Sequence, residues 1–296
     1  MSSPFVSIGE KRRMTYYFPV LGALALAAGT ILERLVLKKR KVDIKLYQVA
    51  SFLAIVVSML PLIYFFWRID APALEIKNII VLLAVVLFSI FANLLVFYSM
   101  KWEKVTNLEP ARVLEPLFVI ILAIVFSFFA EGLYERNIRI IVPALIAGLV
   151  LVLTHFKKDH LEFNKYFIAA IAGSFFFALE LVVSRLILDY YSPLSFYFLR
   201  SSSIFLISWA IFRPKFGNLS TKVKWEIFLT GVVWVVYRVV VYYGYLNIGV
   251  VFTTLLLMLA PVLIYVFAHF FLKEKMSWKN FVASIVIVGS VGYVIF

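Results

Sequence analysis

Charged side chains make up 15% of this 296-residue chain and apolar ones 64%, so a charge inside an apolar run is a candidate for chemistry. The stretch NLEPARVLEPLFVII, residues 107–121, holds Glu109, Arg112 and Glu115 at a spacing of three. Residues three apart share a helix face, so one cation lies between two carboxylates. Arg112 can pair with either, which leaves one acid for a substrate, a proton or another helix. Two prolines fall in the same stretch. Pro110 is tolerated in a first turn, whereas Pro116 lacks an N–H and frees a carbonyl one turn back. Irregular backbone at membrane depth survives where it is buried in protein or lines a cavity. The combination predicts a cavity-lining helix end; the alternative is a structural charge cluster at a helix corner near the headgroups.

Two further ionisable groups lie at depth. In GVVWVVYRVVVYYGY, Arg238 has Trp234 and Tyr242 four residues to either side. A guanidinium amid rings suits an anionic group on an apolar or ring-bearing body, through charge-assisted hydrogen bonds and stacking. In FFALELVV, Glu180 has only apolar sequence neighbours. Burial disfavours a charged carboxylate, so Glu180 is a proton-coupling candidate, or else a counter-ion to Arg238 or Arg200. Glu33 and Arg34, near a helix end, are expected to snorkel to the interface.

These residues are positioned by membrane helices. The mean hydropathy is +1.00, and a spanning helix needs about 20 mostly apolar residues. Ten such segments are predicted, at 17–37, 44–67, 78–100, 106–129, 138–155, 166–188, 193–212, 225–246, 250–272 and 278–296. The links are short, which leaves no extramembrane domain. There is no cysteine, which excludes disulfides, thiolate zinc sites and thiol catalysis. The net charge of +13 fits Lys and Arg flanking spans rather than a nucleic-acid-binding face. No cofactor is indicated.

The chain repeats itself. A shift of 151 places Gly22 on Gly173, Ala27 on Ala178 and Arg34 on Arg185. Farther on, a shift of 145 places Pro116 on Pro261, Tyr98 on Tyr243 and Asn93 on Arg238. The first match argues against reading the basic, apolar N-terminus as a cleaved signal. The expected fold is therefore an all-α membrane protein whose ten transmembrane helices form two inverted five-helix repeats, 1–156 and 157–296. Five is odd, so the second copy enters the bilayer upside down, as in secondary transporters that alternate access to a central site. The Lys and Arg count favours both termini outside.

The run FYSMKWEKVTNLEPARVLEPLFVIILAIVFSFFAEGL resembles the drug/metabolite transporter superfamily in its ten-helix EamA-type branch. Tyr98-Ser99-Met100, Pro116 and Glu131 carry the resemblance, and Tyr243-Gly244, Pro261 and Glu274 repeat it in the second half. Arg200, early in the seventh segment, resembles a family arginine. The first half departs there, offering Gln48 and Val49. The resemblance implies both termini in the cytoplasm, against the charge count. It also implies export of amino acids or related metabolites across the plasma membrane, driven by protons.

The expectation is a secondary active transporter of a small polar metabolite, not an enzyme. Its partners are the lipid bilayer, its solute and protons. Substrate-binding candidates are Arg238, Asn93, Trp234, Tyr242, Glu115, Arg112 and Arg200, with Glu180 for protons and Pro116 and Pro261 as hinges. Acids and bases together favour a zwitterion; nucleotide sugars, sugar phosphates and nucleobases are the alternative. An intramembrane enzyme would need paired carboxylates, a metal or a Ser/His set, and the sequence offers no membrane Asp pair and no HExxH.

Overall fold

The computed structural model describes residues 8–39, 42–103, 105–155, 164–263 and 278–295. Glu274, which carries part of the resemblance, and the side chain of Glu109 lie outside the described residues. The fold is helical: α1 (Ile8–Leu37), α2 (Ile44–Phe66), α3 (Ile76–Trp102), α4 (Val105–Arg112), α5 (Leu114–Ser127) and α6 (Ile138–His155) come first. Then follow α7 (Lys165–Ser184), α8 (Pro193–Phe212), α9 (Thr221–Asn247), α10 (Val250–Leu257) and α11 (Trp278–Ile295). Among the described residues, eight helical stretches are long and apolar enough to span a bilayer, one of them (110–127) running through α4 and α5; two shorter apolar stretches, 138–154 and 250–263, bring the set to ten.

Local signals set several ends. The Asn164 side chain accepts from the Tyr166 and Phe167 N–H groups and starts α7. Ser192 does the same for α8 through the Ser195 N–H, with Pro193 at the first helical position, where a missing N–H costs nothing. Ser220 caps α9 one turn ahead of the expected start at Trp225.

The predicted segment 106–129 is two helices, and this corrects the expectation of one. α4 ends at Arg112, four residues before Pro116, and α5 begins at Leu114, two residues before it. Pro116 cannot donate to the carbonyl of Arg112, and its ring crowds that carbonyl. The ninth span breaks in the same way: α10 ends at Leu257, Met258 is a turn, and Pro261 follows. Val113 and Met258 are 145 residues apart, so the repeat seen in sequence is also a repeat of backbone irregularity.

The halves interlock. α1 packs on α9, and its counterpart α7 packs on α3; α2 meets α8, and α6 meets α11. The matched glycines mark the close approaches. A Cβ on Gly22 would press on Val240 of α9, and one on Gly173 would press on Val96 of α3. The outer flanks carry exposed Phe, Leu and Ile such as Phe65, Phe129 and Leu153, the surface that lipid covers. The end of the bundle that holds residue 295 is its terminal side.

Candidate functional site

Charges of both signs converge inside the bundle. Glu180 of α7 is fully buried, and its two oxygens face two arginines: Oε1 lies 3.1 Å from Arg200 Nε and Oε2 lies 3.2 Å from Arg238 Nη1. The Tyr242 hydroxyl donates to Oε1 at 2.9 Å. Arg200 Nε also donates to Ser89 Oγ at 2.9 Å. Arg200 is 1% exposed and Arg238 5%. Ionised groups so deep need both partners and hydrogen bonds, and this cluster supplies them from four helices.

Aromatic faces complete the cluster. The Arg238 guanidinium lies 5.4 Å from the Phe177 ring centroid and 5.6 Å from that of Tyr237; Arg200 lies 5.5 Å from Tyr197. Sequence spacing pointed to Trp234 and Tyr242 as the rings around Arg238. The rings over which the guanidinium lies are Tyr237, its immediate sequence neighbour, and Phe177, which arrives from α7 and which adjacency in sequence cannot show.

A cavity of about 50 Å³ sits beside the cluster. Arg238, Asn93, Trp234, Glu115, Arg112 and Arg200 all line it, so six of the seven expected substrate residues share one space. The seventh, Tyr242, stands behind with Glu180 and holds it. Asn93 Nδ2 donates to the Ser89 carbonyl at 2.7 Å, one turn back within α3, beside the serine hydroxyl that receives Arg200. Gly29 leaves room for the Trp234 indole, which a Cβ would approach at 3.3 Å.

Glu33 also lines the cavity and is 4% exposed. This corrects the expectation that it snorkels: α1 turns it toward α9 rather than toward the headgroups. Arg112 reaches across to α1, donating from Nη2 to Thr30 Oγ1 at 3.3 Å. Glu33 and Glu115 feel the charge of Arg112, yet neither makes a direct ion pair among the described residues. Ser89, Tyr197, Phe177 and Glu33 are the site residues that sequence missed. Ser89, four residues before Asn93 and so on its face of the helix, was the one with a signal to find.

On the terminal side, the segment after α5 straps the halves together. Glu135 Oε1 accepts from the N–H groups of Val251 (2.9 Å) and Phe252 (3.2 Å) at the start of α10. The Tyr134 hydroxyl donates to the Val182 carbonyl of α7 at 2.7 Å. Burial pushes the Glu135 carboxyl above its ordinary value, and the backbone donors pull it only partly back.

A family model described as "EamA-like transporter family" matches this chain twice, over residues 13–155 and 164–296. Twenty-nine solved chains match it. One, called "Crystal structure of protein", covers 95% of this chain and 96% of its own at 15% identity and a TM-score of 0.65; at that identity the likeness concerns the fold alone. No curated protein matches.

Proposed function

The chain belongs to the EamA-like transporter family, a multi-pass membrane family that moves small molecules, and from that premise we propose that its substrates are amino acids or closely related zwitterions. The observation that carries the reading is the mixture of charge in one cavity. Arg200 and Arg238 offer guanidinium donors suited to a carboxylate. Glu33 and Glu115, without direct ion pairs among the described residues, suit an ammonium group. A transported dianion would favour cations alone.

Glu180 gives a route for proton coupling. It holds both arginines, so a proton on Glu180 would release them toward a substrate carboxylate, and an arriving carboxylate would compete with Glu180 for the same donors. Alternating access follows from the inverted repeats, and export across the plasma membrane is the working direction.

The test is thermal unfolding of the purified protein with amino acids, nucleobases, nucleotide sugars and sugar phosphates, followed by flux into vesicles. A ligand at about a hundredfold over its Kd stabilises by roughly 2.7 kcal/mol. Arg238→Ala is expected to abolish the amino-acid shift while the protein stays folded, because Glu180 keeps Arg200 and Tyr242. Wild-type affinity in that variant would remove Arg238 from the site. Hits confined to phosphorylated compounds would favour the three arginines as an anion clamp.

A further inference from the structure

The polar cavity does not end at Glu115. A second space of about 300 Å³ continues from it, sharing Leu26, Arg112, Glu115 and Tyr237 as a common wall. Beyond that wall the lining turns apolar: Val119 of α5, Leu151 of α6, Leu181 of α7 and Met258 in the ninth span are examples. Pro116 and Pro261 both line it, so the two broken spans open onto this chamber. Its rim reaches Ile31, 58% exposed on the outer flank of α1.

Size separates the two spaces. A water-sized group needs about 10–15 Å³ measured this way, so the polar cavity holds about four such groups and the apolar chamber about twenty or more. Four groups is the room of a charged head, not of a head with a long side chain. An apolar space of this size gains by taking apolar surface out of water, and its only charged wall is the one it shares with the head site.

We infer that the apolar chamber is a second subsite, which takes the unbranched or bulky apolar part of an amphipathic substrate whose ionised head sits against Arg200 and Arg238. The inference rests on the reading of the central cavity as a substrate site. Ala27 on α1 and Ala260 in the ninth span both line the chamber and leave volume that a larger side chain would occupy. A chain longer than the chamber continues past Ile31 into hydrocarbon.

Binding to the protein in lipid nanodiscs, measured by calorimetry against empty nanodiscs, tests this with two homologous series. One is α-amino acids with unbranched side chains of two to eight carbons; the other is alkyl phosphates of the same lengths. Each methylene buried is worth about 0.8 kcal/mol, a factor of about four in Kd, and no chain in either series fills the chamber. The expected result is a Kd falling about fourfold per methylene along the amino-acid series. Ala27→Phe takes up part of the chamber and is expected to flatten that slope for the longer members while the shortest member binds as before; Ala260→Leu repeats the test from the ninth span should Ala27→Phe misfold. A slope on the phosphates alone keeps the chamber and overturns the amino-acid reading. Binding of the amino acids without any slope, or a slope untouched by both filling variants, overturns the chamber and leaves the head site standing. Silence in both series overturns both.

Discussion

Glu180 is a fully buried carboxylate shared by two guanidiniums and a phenol. Breaking such a cluster by removing one partner leaves an uncompensated charge, and the carboxylate is the worst to remove because two cations lose it together. Glu180→Ala is expected to destabilise by about 3–5 kcal/mol, read as a loss of thermal stability, and Glu180→Gln by less because the amide oxygen still accepts from Tyr242. Equal stability of both variants and wild type would mean that Arg200 and Arg238 find other partners. The individual charges were legible in the sequence because an ionisable group in an apolar run is rare and costly. Their pairing was not: Glu180 and Arg238 are 58 residues apart, and the choice between proton carrier and counter-ion depends on which helices meet. Glu33 was misjudged for a related reason, since a position near a helix end says how deep a residue lies but not which way it points.

At the scale of elements, helix positions were readable to within a turn for most spans; α6 and α8 begin and end where the apolar runs do. The breaks in the fourth and ninth spans were readable only as prolines, because a proline marks the lost hydrogen bond and not whether the helix bends through it or stops. The strap at Glu135 had no sequence signal, since its partners are backbone N–H groups more than a hundred residues away. Gly249, at φ 90°, is what lets the carboxylate in: a Cβ there would overlap Glu135. The strap also carries a pH dependence. Burial raises the Glu135 carboxyl above its ordinary value, so the folded state binds this proton more tightly than the unfolded one. The associated stability is present below the unfolded value of about 4.3 and is lost as pH rises through the folded value. Glu135→Gln removes that titration. Across a melting series from pH 4 upward, the wild type is expected to lose stability relative to Glu135→Gln; parallel curves would mean that the carboxyl titrates alike in both states.

At the scale of the whole molecule, symmetric scaffolding carries asymmetric chemistry. The repeat was legible because glycine, arginine and proline recur at fixed shifts, yet Arg238 falls on Asn93, and Arg112 and Glu115 fall on Leu257 and Ala260. α1 packs on α9, α3 and α5 pack on α7, and α10 meets both sets, touching α1, α5, α6 and α9, so the bodies that would move are mixed bundles and not the sequence repeats. Among the described residues, contacts toward the terminal side that join these bundles include the Glu180–Arg238 pair, the Tyr242 hydroxyl on Glu180, and the strap from Glu135 to the start of α10. If the strap holds that side closed, loosening it should admit solvent to the central cavity from there. The chain has no cysteine, so a single thiol placed at Asn93, which lines the cavity, reports without background. An impermeant thiol reagent applied to the terminal side is expected to label Asn93→Cys slowly, and several times faster when Glu135→Ala is added. Faster labelling from the opposite side as well would indicate general loosening, which unchanged thermal unfolding of the double variant would exclude. Equal rates from the terminal side with and without Glu135 would mean that the charged pair alone closes it, and that the strap serves the start of α10 and nothing beyond it.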